Sequence, residues 1–307
     1  MFVPNDFDDF PLPTPTGSPH HSHSIAPIPT VIPGGSVIFQ ELGTTGQRTL
    51  WVVTALMGIS SLVFYSLAAR APLSKRIFHV LSSFITTISF ITYLALASGQ
   101  GINVACFQIH NHHKHVPNTD DEFFRDILWL RYVNWALTTP LLLINLALVS
   151  GLPGAHLVPA ILSNWVMLAA GLLGTYDGHT KTRWVWLTIS CVAYLSTLHH
   201  AGFHAHRASS NQEAQVKRFF GAISGLVFVV FALYPIVLAS GALALKVSVD
   251  AETILFAFHD ILTQGIVGYW LLLSLDNATG LNIHVNGFWT NGAAEGAIRL
   301  PEEEEGA

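Results

Sequence analysis

Charged side chains are scarce in this chain of 307 residues, since Asp, Glu, Lys and Arg make up only 11% of it. A soluble globular domain carries about 25%. Cysteine is scarce too, because Cys106 and Cys191 are the only two, and this excludes a disulfide framework as the organising principle. No catalytic triad, phosphate-binding loop or metal motif of recognised spacing is present, so the sequence predicts neither an enzyme nor a nucleic-acid partner.

Apolar residues, in contrast, make up 51% of the chain, and the mean hydropathy is +0.47. Seven apolar runs are long enough to cross a bilayer, which takes roughly 17 to 25 residues each. The predicted spans lie at about 48–69, 77–98, 124–150, 156–176, 184–205, 219–243 and 251–275. The sequence therefore predicts an all-α membrane protein, a bundle of seven transmembrane helices in a lipid bilayer.

Two tails flank one predicted domain. Residues 1–45 are rich in Pro, Thr, Ser and His and contain no Lys or Arg, so a disordered tail is expected. Residues 46–280 hold the seven spans, and 281–307 form a C-terminal tail with the acidic run from Glu302 to Glu305. A slight excess of basic residues in alternate loops favours an outside N-terminus and a cytoplasmic C-terminus.

Away from the helix ends, two ionisable side chains matter most inside the predicted spans, where lipid normally excludes them, with His79 and His259 as possible additions. The two are Arg131 on the third span and Asp260 on the seventh. Helical spacing places Asn134, Trp135, Thr138 and Asn145 on the same face as Arg131, and this face is expected to point inward. From the residues alone, a packed polar seam is the alternative to a functional site.

Several segments in this order resemble the microbial (type 1) rhodopsins, and specifically the fungal opsins, from about residue 40 to residue 300. The resemblance is carried by Arg131-Tyr132 through Asn145, Tyr234-Pro235, Asp260 with Gly265, Asn286-Gly287-Phe288-Trp289 and Glu295-Gly296-Ala297-Ile298-Arg299. It implies the seven-helix fold of that family, built around retinal that is held as a Schiff base on a lysine of the seventh helix.

By the same resemblance, the position of that lysine is occupied by Gln264. An amide nitrogen is not nucleophilic toward an aldehyde, and the five lysines, at 75, 114, 181, 217 and 246, lie in predicted loops or at helix ends. Asn134 and Asn145 stand at the positions of the proton acceptor and donor, and Asn164 replaces a further family aspartate. We therefore expect neither covalent retinal nor proton pumping.

The resemblance also implies a buried ion-pair centre. Arg131 is expected to balance Asp260, directly or through water, and Tyr93 and Tyr234 are expected to donate hydrogen bonds to the same carboxylate. Adjacent helical residues point about 100° apart, so His259 is expected to face away from this pair.

A noncovalent ligand is the remaining possibility for the family's pocket, and a retinoid, a lipid or a sterol would suit its apolar walls. Smaller side chains in place of family tryptophans either enlarge this pocket or let the helices close over it. The residues that correspond to the pocket are Trp135, Thr138, Met167, Gly171, Trp186, Phe231 and Leu238.

Histidines form two groups, one in the second-to-third loop and one at the end of the fifth span. Zinc or copper could bind such groups, but their spacing matches no closed structural site, and no metal is predicted. The groups are His110, His112, His113 and His115, and His199, His200, His204 and His206.

Fungal opsin-related proteins without the lysine are linked to stress response and plasma-membrane maintenance, which is the function that the resemblance favours. Two alternatives stay open: a noncovalent retinal or lipid sensor, and a passive ion-conducting bundle. A homo-oligomer is also possible in this family, and the sequence does not decide it.

Overall fold

Seven long helices dominate the computed structural model, which describes residues 36–114, 118–210 and 212–277. Most of the predicted disordered tail, the whole acidic C-terminal tail, the two fungal-type motifs after residue 285 and His115 lie outside these residues. Among the described residues, six helices are long and apolar enough to cross a membrane.

The helix bounds are α1 Thr44–Arg70, α2 Leu73–Ala97, α3 Leu130–Ser150, α4 Gly154–Tyr176, α5 Thr180–Thr197, α6 Ala214–Leu238 and α7 Val249–Asp260. The helix that falls short of a membrane span by composition is α5, because Ser, Thr, Lys and Arg interrupt its apolar residues. The last three helices continue through π-helical turns. These turns are Leu198–His204 after α5, Ala239–Leu243 after α6 and Ile261–Ile266 after α7, and helical segments Ala205–Ser209 and Val267–Asn277 follow the first and the third.

A three-stranded sheet covers one end of the bundle, which we call the sheet end. The strands are β1 Val37–Gln40, β2 Asn103–Asn111 and β3 Thr119–Ile127. Strand β3 lies in the middle, parallel to β1 and antiparallel to β2. Two predicted boundaries were therefore wrong: the ordered chain begins before residue 46, and the third span begins at Leu130 rather than at 124.

Backbone pairing explains both departures. The β3 sequence Thr-Asp-Asp-Glu-Phe-Phe-Arg-Asp-Ile is too polar for lipid, and a ladder with β2 satisfies its backbone groups outside the bundle. At the edge of the sheet, Ser36 donates to Asp121 through both its backbone N–H and its hydroxyl, each at 2.8 Å. These bonds hold the pKa of Asp121 below its usual value, because they favour the ionised carboxylate.

Tight connections join the helices at the opposite end. Gly151 ends α3 in the left-handed conformation, with φ at +72°, which glycine adopts without steric cost. The largest apolar cluster fills this end of the bundle and includes Leu143, Phe220 and Leu271. Buried polar groups collect between this cluster and the sheet end, where α2, α3 and α7 face one another.

Candidate functional site

Asp260 is the centre of the buried polar groups, and none of its surface is exposed. The Tyr93 hydroxyl on α2 donates to one carboxylate oxygen at 2.5 Å, and the Trp135 indole N–H on α3 donates to the other at 2.6 Å. Gln264, one helical turn after Asp260, adds its amide N–H at 3.2 Å. Hydrogen bonds to an ionised acceptor are short and strong, so these three donors stabilise the carboxylate inside the bundle.

His259 also belongs to this centre. Its Nδ1 lies 3.3 Å from an Asp260 oxygen, and its ring stacks on Phe231 with centroids 5.8 Å apart. The prediction that His259 faces away was wrong. Adjacent Cβ atoms do point in different directions, but the imidazole folds back against the neighbouring carboxylate while it packs on α6.

Arg131 has a different partner from the one predicted. Its guanidinium lies 3.6 Å from a Glu252 carboxylate oxygen and donates to the Thr253 hydroxyl at 3.3 Å. Among the described residues, no ion pair joins Arg131 to Asp260. The direct form of the predicted pair is therefore wrong. The first turn of α7 carries Glu252 closer to the guanidinium, while indole and hydroxyl donors occupy Asp260.

The same Glu252 carboxylate binds a second guanidinium, that of Arg125 on β3, at 2.6 Å. Arg125 is 1% exposed and also donates to the Val247 carbonyl at 2.9 Å and to the Gln40 side chain. The Glu252 carboxylate therefore joins β3, α3 and α7 at the sheet end, and Arg125 connects them to β1 through Gln40. The sequence gives no sign of this role for Glu252, because an acidic residue in a first helical turn is usually an exposed partner of the helix dipole.

Tyr234 does not reach Asp260, although the resemblance implied that both tyrosines would. Its ring packs against Trp135 at 5.0 Å between centroids, and its polar neighbour is the Tyr132 phenol. No hydrogen bond of ordinary geometry joins the Tyr234 hydroxyl to another described residue. Only the α2 tyrosine therefore holds the carboxylate.

Besides its bond to Asp260, Gln264 contacts a set of buried neutral groups. Its amide oxygen accepts from the Ser89 hydroxyl and from the Asn134 amide, the latter at 3.4 Å, and its amide nitrogen approaches the Thr138 hydroxyl at 3.3 Å. The positions named from the resemblance, Gln264, Asn134 and Thr138, are thus direct neighbours. None of these amide and hydroxyl groups titrates near neutral pH.

The other two asparagines are buried as well. Asn145 is 1% exposed and donates to the Ser82 hydroxyl at 3.5 Å. Asn164 is fully buried, and its amide has no hydrogen-bond partner among the residues that the structure describes. Both carry neutral amides inside the bundle and add no titratable group to it.

All five lysines lie in described parts of the chain, and each is in a loop or near a helix end, outside this network. Those at 114, 181, 217 and 246 are exposed. Lys75 is half-buried in the first turn of α2, where its ammonium donates to the Leu275 carbonyl at the end of the bundle opposite the sheet. None of the five lines the central cavity.

This cavity has a volume of about 20 Å³ and adjoins Gln264. Four residues of the predicted pocket line it, namely Trp135, Thr138, Met167 and Phe231. The other lining residues are Thr139, Leu142, Asn164, Leu168, Tyr234, His259, Thr263 and Gln264. Pockets for small organic ligands have volumes of roughly 300 to 1,000 Å³, so this cavity has room for about one water molecule.

Three residues of the predicted pocket do not line the cavity. Gly171 and Leu238 pack beside Tyr234, whose hydroxyl would lie 2.6 Å from a Cβ at position 171. Trp186 lies near the sheet end and donates to Asp177 at 3.1 Å. The backbone N–H of His179 also donates to Asp177 and holds the pKa of that carboxyl below its usual value.

Seven helices with a buried carboxylate held between α2, α3 and α7 define a protein of microbial-rhodopsin type. Residues 44–278 match the family described as bacteriorhodopsin-like protein. The chain belongs to this family, and the fold predicted from the resemblance is confirmed.

Curated fungal relatives support the same assignment. Opsin-1 of Neurospora crassa is 39% identical over 293 residues, which cover 94% of this chain and 96% of that protein. Opsin-like protein carO of Fusarium fujikuroi is 30% identical over 227 residues, which cover 74% of this chain and 72% of that protein. The predicted likeness to fungal opsins is therefore confirmed.

A solved structure is similar over most of the bundle. The crystal structure of the light-driven proton pump LR (Mac) from Leptosphaeria maculans has a TM-score of 0.76 and 35% sequence identity. The match covers 78% of this chain and 98% of that chain. The seven-helix fold is thus the one found in the solved microbial rhodopsins.

Proposed function

We propose that this opsin-like membrane protein neither binds retinal covalently nor pumps protons. The observation that carries the proposal is the position of Gln264, one turn after Asp260 and in direct contact with Asn134 and Thr138. Proteins of the family bind retinal through a lysine, and at the corresponding position this chain has the amide of Gln264. An amide cannot form an imine, and each of the five lysines is exposed or at a helix end.

The absence of pumping is proposed on separate grounds. A pump transfers protons between groups that titrate near the working pH. Apart from the Asp260 carboxylate, to which it donates, Gln264 contacts only amides and hydroxyls among the described polar groups, and Asn145 and Asn164 are amides deeper in the bundle. Although LR (Mac) is named as a light-driven proton pump, these residues support a different activity for this chain.

Incubation of the purified protein with all-trans retinal tests the first part. We expect no red-shifted band and, after borohydride reduction, no covalent retinyl adduct by mass spectrometry. The Gln264→Lys variant restores an amine at the site, and Gln264→Met is its matched control without an amine. An adduct on the unmodified protein would overturn the proposal.

Illumination of liposomes that contain the protein tests the second part. With retinal added, we expect no light-driven pH change, whereas a reconstituted light-driven pump such as LR (Mac) serves as the positive control. A light-dependent pH change by the unmodified protein contradicts the proposal.

The physiological role that we propose is in stress response or maintenance of the plasma membrane, with the N-terminus outside. No enzymatic activity is proposed. Because the site lacks a light-sensitive linkage, a deletion strain complemented by the gene should recover equally in the dark, in the light and without retinal. Recovery that depends on light or retinal would refute this role.

The size of the cavity weighs against the sensor alternative. A retinoid, a lipid or a sterol would have to displace Trp135 or Phe231, which pack against Tyr234 and His259 respectively. Trp135 also loses its hydrogen bond to Asp260 if it moves. Saturable retinoid or sterol binding that is abolished by Trp135→Ala would favour the sensor.

A further inference from the structure

Three histidines from two helices meet at the end of the bundle opposite the sheet. His156 lies in the first turn of α4, and His200 and His204 lie in the π-helical turn that follows α5. One ring nitrogen from each of the three lies within 4.8 Å of those from the other two. His156 is the member that sequence analysis missed, because it stands alone in the sequence and more than forty positions before the others.

The π-helical turn brings these side chains together. The His156 and His204 rings stack with centroids 4.0 Å apart, and the His200 ring lies 5.9 Å from each of them. Single π-helical turns inside α-helices are rare and occur frequently at functional sites. Here the turn gives His200 and His204 a common direction toward the start of α4.

A fourth imidazole adjoins the three. The Nε2 atoms of His199 and His204 lie 3.2 Å apart, a separation at which they either share a proton or bind a common ion. The Nδ1 atom of His200 is buried and has no hydrogen-bond partner in the described parts of the chain. Buried polar atoms normally have a partner, so this nitrogen requires one from outside the described residues.

We propose that His156, His200 and His204 bind a divalent transition-metal ion, with Zn²⁺ as the principal candidate. Neutral imidazole is a preferred ligand of Zn²⁺, at Zn–N distances of roughly 2.0 to 2.1 Å. In a tetrahedral site, this bond length sets the nitrogens about 3.4 Å apart. Side-chain rotation closes the difference from 4.8 Å, and His199 or water takes the fourth position.

Such an ion would join two neighbouring helices. His156 holds the start of α4, and the other two ligands hold the end of the α5 segment where its hydrogen-bond pattern changes. Binding to the folded state stabilises it by mass action. The site is independent of Gln264 and of the function proposed above.

Metal titration of the full chain, purified without a histidine tag, tests the proposal. The N-terminal His20, His21 and His23 and the loop histidines at 110, 112, 113 and 115 are first replaced by Ser, so that neither group contributes a second site. Competition with a chromophoric chelator should show one saturable Zn²⁺ site per chain. His156→Asn should weaken Zn²⁺ binding at least about tenfold.

The matched control is His206→Asn, which removes an exposed histidine of the same region that is not in the three-histidine group. This control should bind Zn²⁺ as the parent does. Zn²⁺ should also raise the apparent unfolding temperature of the parent and of the control, but not that of His156→Asn. Equal loss of affinity in both variants would overturn the site.

Cobalt gives a test that needs no substitution at the proposed site. Co²⁺ at a tetrahedral site of nitrogen ligands has visible ligand-field bands, which Zn²⁺ should abolish by displacing it from the parent protein. The absence of both a Co²⁺ band and saturable Zn²⁺ binding would refute the proposal, even if His156→Asn failed to fold.

Discussion

Replacing Tyr93 by Phe removes one hydroxyl from the centre of the bundle and leaves the ring in place. The hydroxyl donates to the fully buried Asp260 carboxylate at 2.5 Å. A hydrogen bond to a charged group contributes roughly 1.5 to 3 kcal/mol. For a protein of this size, about 1 kcal/mol lowers the unfolding temperature by roughly 2 to 4 °C. We therefore expect the apparent unfolding temperature of Tyr93→Phe to fall by roughly 3 to 12 °C.

The matched control is Tyr234→Phe. Both tyrosines are buried, Tyr93 beside Asp260 and Tyr234 beside Trp135. The Tyr234 hydroxyl, however, has no hydrogen bond of ordinary geometry to a described residue. Its removal should cost less than about 1 kcal/mol, because no strong interaction is lost. Intrinsic tryptophan fluorescence during heating in detergent measures both variants under the same conditions.

The comparison also decides between the structure and the resemblance. The resemblance implies that both tyrosines hold Asp260, and it predicts equal losses. The structure predicts a large loss for Tyr93→Phe and a small one for Tyr234→Phe. Equal shifts, or a larger shift for Tyr234→Phe, would refute our account of the centre.

Two further predictions concern the sheet end. Glu252→Gln leaves two buried guanidiniums without their shared carboxylate and should destabilise the fold by about 3 to 5 kcal/mol, measured by chemical denaturation, whereas the exposed Glu213→Gln should be neutral. Gly101→Ala should lower the unfolding temperature more than Gly99→Ala. Both glycines have a positive φ, but only a Cβ at position 101 would clash, because it would lie 2.5 Å from the Cβ of Leu130. Equal effects within either pair would contradict the packing described here.

Helix count and family could be predicted from the sequence, because lipid imposes a composition that is visible residue by residue. The neighbourhood of Gln264, Asn134 and Thr138 was likewise predictable, since helical periodicity and the family's motifs place these residues on inward faces. The strands at the sheet end could not be predicted in this way. The chain from Val37 to Gln40 reads as part of a polar tail, and its strand exists only because β3 provides a pairing edge.

The sequence by itself determined that the chain crosses a membrane as a microbial-rhodopsin bundle, and by resemblance it predicted an amide, Gln264, at the lysine position. Both are local properties, set by composition and by residue identity. Only the tertiary structure decided that Arg131 pairs with Glu252, that Tyr93 rather than Tyr234 donates to Asp260, and that His156 lies beside His200 and His204. Such pairings depend on distances between helices far apart in sequence, and helical spacing along a single span does not contain them.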